Sequence, residues 1–144
     1  MNPFVLDCSI AAAWLFEDEA GPATDALLRR LKRDGAFVPS LWRLELGSVL
    51  AQAERSKRTD ATRIARWVER LAKLPIVVDP ETGSRAFREI LGLARQERLT
   101  TYDATYLELA IRKAIPLATL DRALARAARR RGVAILPRKE RTTS

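Results

Sequence analysis

Short apolar runs, too brief to be helices, alternate along this chain with amphipathic segments, and that alternation restricts the fold more than any other feature. The runs lie in Pro3–Ser9 (P-F-V-L-D-C-S), Ala36–Val38, Pro75–Val78, Pro116–Leu120 and Val133–Leu136. Apolar runs of this length bounded by Gly, Pro or Asp read as buried strands. Between them, helical spacing predicts Ser9–Phe16, then Pro22–Arg33 with Leu27, Leu28 and Leu31 inward. Ser40–Glu54 follows with Leu41, Leu44, Val49 and Ala53 inward, then a helix capped by Thr59 or Asp60 that carries Ile64, Trp67, Val68 and Leu71. Ser84–Glu97 is expected to bury Phe87, Ile90, Leu91 and Ala94, and Tyr102–Lys113 to bury Tyr106, Leu107, Ala110 and Ile111. A last helix, Arg122–Arg131, ends at Gly132. Strands alternating with helices imply an α/β fold, with right-handed crossovers and a mostly parallel central sheet of four to five strands covered on both faces.

With 144 residues the chain is sized for one domain, expected over residues 1–136, with a polar tail over 137–144. The longest apolar run, Ile10–Phe16, is far shorter than a membrane helix requires, and no signal-peptide pattern opens the chain. A cytoplasmic protein without membrane association is the expectation. The single cysteine, Cys8, excludes an internal disulfide and a multi-cysteine zinc site. The absence of histidine excludes Ser-His-Asp and Cys-His catalysis and nearly all imidazole-type metal sites. Carboxylates, hydroxyls, lysine and arginine remain for chemistry. A net charge of +8 favours a polyanionic partner such as RNA or DNA, although arginine-rich chains are also basic for reasons of genome composition.

Among the acids, Asp7 and Asp121 each end an apolar run, in V-L-D-C-S and A-T-L-D-R. Helix capping is a sufficient reason for either alone. Asp79 also follows an apolar run and is assigned only to the turn before Pro80. Asp103 falls in the first turn of its helix, where the macrodipole favours a negative charge. Glu45 shares a helix stripe with Leu41 and Val49 and therefore needs a partner, for which an arginine would serve. If Asp7, Glu45, Asp103 and Asp121 converge at the carboxyl edge of the sheet, they repel one another unless a cation is bound. Oxygen ligands alone suit Mg²⁺ or Mn²⁺.

From V-L-D-C-S through E-L-G-S-V-L and Y-D-A-T-Y-L-E-L-A to A-T-L-D-R, the chain resembles the PIN-domain ribonucleases, and most of all the VapC toxins of type II toxin–antitoxin pairs. The resemblance implies an α/β/α sandwich and a metal-dependent endoribonuclease that uses Mg²⁺ or Mn²⁺. A metal-bound water would attack phosphorus in line and leave 5′-phosphate and 3′-hydroxyl ends. It makes Asp7, Glu45, Asp103 and Asp121 the catalytic metal ligands and Ser9 and Thr119 their supports. Many relatives carry asparagine three residues after the glutamate, where this chain has Ser48. An RNA substrate, a homodimer and a VapB-like antitoxin are also implied. Trp14, Leu15, Phe16, Trp42 and Leu46 are candidates for those protein surfaces or for the core. Arg29, Arg30, Lys32 and Arg33, with Arg129, Arg130 and Arg131, are candidates for RNA phosphates or for solvated helix ends. The alternative is a non-catalytic PIN-like module that binds RNA or a partner. A haloacid-dehalogenase site is excluded because Ser9 stands where its second aspartate belongs, and a dinucleotide fold because no G-x-G-x-x-G follows the first run.

Overall fold

Strand β1 (Phe4–Leu6) has no polar side chain and is completely buried, as a strand covered on both faces must be. It lies at the centre of a five-stranded sheet in a computed structural model that describes residues 1–138. The other strands are β2 (Ala36–Val38), β3 (Ile76–Val78), β4 (Leu117–Ala118) and β5 (Ile135–Leu136), in the order β3-β2-β1-β4-β5. Every pairing is parallel, with Val5 opposite Phe37 on one side and Leu117 on the other. The chain thus builds outward from β1 in one direction and returns to build in the other. That reversal between β1 and β4 is a topological switch point, where open parallel sheets hold their ligands.

Among the described residues seven α-helices flank the sheet: α1 (Cys8–Leu15), α2 (Pro22–Asp34), α3 (Trp42–Arg55), α4 (Ala61–Ala72), α5 (Leu91–Glu97), α6 (Thr101–Lys113) and α7 (Arg122–Arg130). Helix α1 packs on α2 and α3, while α6 packs on α5, α7 and β1. Asp60 caps α4 by accepting the Arg63 amide at 2.9 Å. Gly35 ends α2 at φ +82°, and a Cβ there would come within 3.2 Å of the Pro75 carbonyl. Most of the expected tail, residues 139–144, lies outside the described residues.

Helix faces differ from the sequence reading in several places. Leu44 is 80% exposed, because α3 buries Trp42, Leu46, Leu50 and Ala53, a stripe set by the tryptophan. This also assigns Trp42 and Leu46 to the core rather than to a free surface, and Phe16 is buried as well. Phe87 is 90% exposed, since Ser84–Glu97 is not one helix. It winds as a 3₁₀ turn (Gly83–Arg85), a π turn (Ala86–Ile90) and then α5, so the inward phase passes to Ile90, Leu93 and Ala94. Val68 and Ile111 are likewise half-exposed at the borders of their stripes.

Asp79 is more than a turn residue. It is buried and forms a bidentate pair with Arg112, Nη2 to Oδ2 at 2.7 Å and Nη1 to Oδ1 at 3.1 Å. Arg112 Nε also donates to buried Glu108 at 2.9 Å, and Nη1 to Glu81 at 3.0 Å. Burial pushes the Asp79 carboxyl upward, but the Arg112 hydrogen bonds and charge outweigh it and hold the group below its ordinary value. Replacing Arg112 by methionine strands buried Asp79 and leaves Glu108 with only its longer contact to Arg85 at 3.4 Å, so the Arg112→Met variant is expected to lose about 3–5 kcal/mol in urea denaturation at pH 7. Because the Asp79 pKa is depressed in the fold, its stabilising share is present above the unfolded carboxylate pKa and disappears as pH falls through the folded value. The gap between the variant and the parent is therefore expected to narrow in acid.

Candidate functional site

Parallel pairing sets Leu6 opposite Ala118, so the residues that follow, Asp7 and Thr119, emerge side by side at the switch point. Thr119 Oγ1 donates to Asp7 Oδ2 at 2.7 Å, and Ser9 Oγ donates to the same oxygen at 2.8 Å. Each hydroxyl is itself oriented by a backbone amide: Leu120 N donates to Ser9 at 2.9 Å and Asp121 N to Thr119 at 3.0 Å. Asp7 occupies the N-cap position of α1 but makes no side-chain capping bond, whereas Asp121 caps α7 through Oδ1 to the Leu124 amide at 2.9 Å. Two aspartates that look equivalent in sequence are thus used differently. Capping accounts for one carboxylate oxygen of Asp121 and for neither oxygen of Asp7.

The other two acids come from helix starts. Glu45, in the first turn of α3, accepts the Tyr106 hydroxyl on Oε1 at 2.7 Å. Its partner is therefore a tyrosine of α6, not an arginine. Asp103 lies in the first turn of α6, where Thr100 Oγ1 receives the Asp103 amide at 3.1 Å and caps the helix. Ser48 is exposed and makes no side-chain hydrogen bond among the described residues. Tyr106 was legible only as an inward residue; the usable signal was that a buried phenol needs a hydrogen-bond partner.

Burial, in first place, raises the pKa of Asp7, Glu45 and Asp103. Hydrogen bonds from Thr119 and Ser9 to Asp7, and from Tyr106 to Glu45, oppose the rise. Mutual repulsion adds to it: Asp121 acts on Asp7, Asp7 and Asp103 on Glu45, and Asp121 and Asp7 on Asp103. Cys8 beside them is no nucleophile. Burial pushes its thiol up to about 12, and its sulfur lies 3.6 Å from the Tyr106 hydroxyl.

Among the described residues none of the four acids is in an ion pair, although buried Asp79 and Glu108 both are. No three of them stand close enough to form a ready-made metal-holding group. The donor set nevertheless fits a hard cation. Asp7, Glu45 and Asp121 are each tethered through one oxygen, by the hydroxyl, phenol and amide donors described, and the second oxygen takes no side-chain hydrogen bond. The candidate RNA contacts are partly engaged elsewhere: Arg130 and Arg131 both pair with Glu97, and Arg33 with Asp34.

A carboxyl with a raised pKa in the fold favours folding below its unfolded pKa, and that contribution is lost as pH rises through the folded value. Metal-free Asp7→Asn protein is therefore expected to melt a few degrees above the parent at pH 7 in chelator. The difference should vanish toward pH 4, as followed by circular dichroism.

Comparison with known proteins agrees with this architecture. The PIN-domain family model matches residues 4–130. PAE2754 from Pyrobaculum aerophilum superposes with a TM-score of 0.69 at 23% identity, over 93% of this chain and 90% of that one. VapBC2 from Rickettsia felis, bound to a DNA fragment from its promoter, gives 0.65 at 14% identity over 92% and 96%. FitAcB from Neisseria gonorrhoeae gives 0.62 at 18% identity over 92% and 95%. No curated protein matches the sequence significantly. With an all-parallel sheet whose switch point carries the acids, and a family match spanning β1 to α7, the chain belongs to the PIN-domain family.

Proposed function

We propose that this chain is a metal-dependent endoribonuclease, the toxin of a VapBC-like toxin–antitoxin pair, with residues 1–136 as its nuclease unit. The observation that carries the reading is the set of four carboxylates at the switch point that no arginine or lysine neutralises among the described residues, in a chain of net charge +8. A fold able to supply Arg112 to Asp79 leaves Asp7, Glu45, Asp103 and Asp121 for another cation.

Those four acids would hold Mg²⁺ or Mn²⁺. A bound divalent ion would neutralise their repulsion, acidify a water and stabilise charge on the phosphate. The chain's own part is positioning. Thr119 and Ser9 hold Asp7 through Oδ2 and leave Oδ1 without a hydroxyl donor. Tyr106 fixes Glu45 from α6, and the α7 amide fixes Asp121. Excess positive charge draws the polyanion toward the acids, with a strong dependence on salt. VapBC2 and FitAcB, each similar in fold, support a VapB-like antitoxin as partner, and a homodimer belongs to the same reading. No helix among the described residues is long and apolar enough to cross a membrane, which accords with action on RNA in the cytoplasm.

The test is cleavage of RNA by the purified chain with Mg²⁺ or Mn²⁺, with and without chelator. Asp7→Asn is expected to abolish cutting, and Thr119→Val to reduce metal affinity or rate about 10–100-fold, as loss of a ligand's supporting bond does. Cutting that survives excess chelator, or that Asp7→Asn leaves intact, would overturn the proposal. RNA binding with no cutting under any divalent ion would instead identify a non-catalytic module.

A further inference from the structure

Glu45 is the one glutamate among the four acids, so it has one more rotatable bond than the aspartates to be fixed before its carboxylate can serve as a ligand. Its own helix gives it no donor, since exposed Ser48, next along α3, makes no side-chain hydrogen bond among the described residues. The anchor comes from α6, where the Tyr106 hydroxyl donates to Glu45 Oε1 at 2.7 Å. Among the described residues no other hydrogen bond joins α3 to α6. Tyr106 is itself immobilised. Its side chain is completely buried, Cys8 Sγ lies 3.6 Å from the hydroxyl, and the thiol donates to the Trp42 carbonyl at the start of α3 at 3.4 Å. A packed ring with few torsions is a stiff support.

Asp103 stands three residues before Tyr106 in α6, so the two side chains share a face of that helix. The phenol that holds Glu45 and a second acid of the cluster therefore belong to one rigid element, and the charge of Asp103 is felt at Glu45. Spacing and stiffness are what separate small hard cations. Mg²⁺ needs a near-ideal octahedron with ligands at about 2.0–2.1 Å, whereas Ca²⁺ accepts irregular sites at about 2.3–2.6 Å. We propose that Tyr106 is a positioning residue for ion choice: by pinning Glu45 to the helix that carries Asp103, its hydroxyl keeps the gap between the two carboxylates fitted to Mg²⁺ rather than Ca²⁺. The inference rests on the metal reading above and adds to it the source of discrimination between ions.

The experiment is competition for Mn²⁺ on the full chain, with free Mn²⁺ followed by electron paramagnetic resonance while Mg²⁺ or Ca²⁺ displaces it. Tyr106→Phe removes one oxygen and keeps the ring, and circular dichroism checks that the fold is retained. It is expected to weaken Mg²⁺ binding about 10–100-fold, as loss of a ligand's supporting bond does, and Ca²⁺ binding distinctly less, so that the Mg²⁺-to-Ca²⁺ affinity ratio falls. In a Glu45→Gln background the same change should leave the ratio where it is, because the carboxylate it positions is gone. Glu45→Gln alone should also lower the ratio, a measurement that does not depend on folding of the phenylalanine variant. An unaltered ratio in either single variant, an equal loss for both ions, or a fall that persists undiminished in the Glu45→Gln background would overturn the proposal; the last would assign the hydroxyl to packing alone. A parent chain that binds no divalent ion would overturn it together with the metal reading. A ratio that falls in a chain that cuts no RNA would leave this inference standing while removing the nuclease reading; chelator-sensitive cutting with the ratio unmoved by Tyr106→Phe would do the reverse.

Discussion

Asp7 is a buried acid at the carboxyl end of the central strand, and two hydroxyls hold it in place of a cation. Thr119 and Ser9 both donate to Oδ2, and both are aligned by amides of the segment that follows β4. This small assembly exists only if β1 and β4 are neighbours, parallel and in register. A slip of one residue would turn Thr119 to the opposite face of the sheet and remove the donor. Sheet topology and site assembly are therefore one requirement, met at the pairing of Leu6 with Ala118.

The molecule treats its buried and half-buried acids in two ways. Asp79 and Glu108 receive Arg112, whose guanidinium bridges the end of β3 and the middle of α6. Asp7 and Glu45 receive neutral hydroxyls, which orient a carboxylate without cancelling its charge. The difference is not explained by a shortage of arginine in a chain with 26 basic residues and 18 acidic ones. Hydroxyl donors leave a net negative cluster, and its ionised state costs stability through burial first and through repulsion second. Such an arrangement is what a site for an external cation requires, and it is the opposite of what folding alone favours.

Much of the fold could be read from the chain because buried parallel strands leave uninterrupted apolar runs, and the runs at Phe4–Leu6, Ala36–Val38 and Ile76–Val78 have no other simple interpretation. The four acids were visible as residues placed at strand or helix ends. Their partners were not. The contact of Tyr106 with Glu45 joins positions 61 apart, and that of Arg112 with Asp79 joins positions 33 apart; neither leaves a local trace. Helix faces failed where the period broke. The π turn at Ala86–Ile90 adds backbone to a turn and rotates Phe87 outward, and in α3 the bulk of Trp42 chose the buried stripe over the weaker one through Leu44.

The exposed neighbours of the acids follow partly from geometry. Successive residues on a helix diverge by about 100°, so placing Glu45 and Asp103 at the margin of the core sends the preceding side chain outward. Geometry does not, however, require that side chain to be leucine or tyrosine. A polar residue would be better hydrated at either position, and Leu120 lies before α7, where helix periodicity imposes nothing. Phe87, Val77, Val68 and Ile111 are likewise exposed without adjoining any of the four acids in sequence.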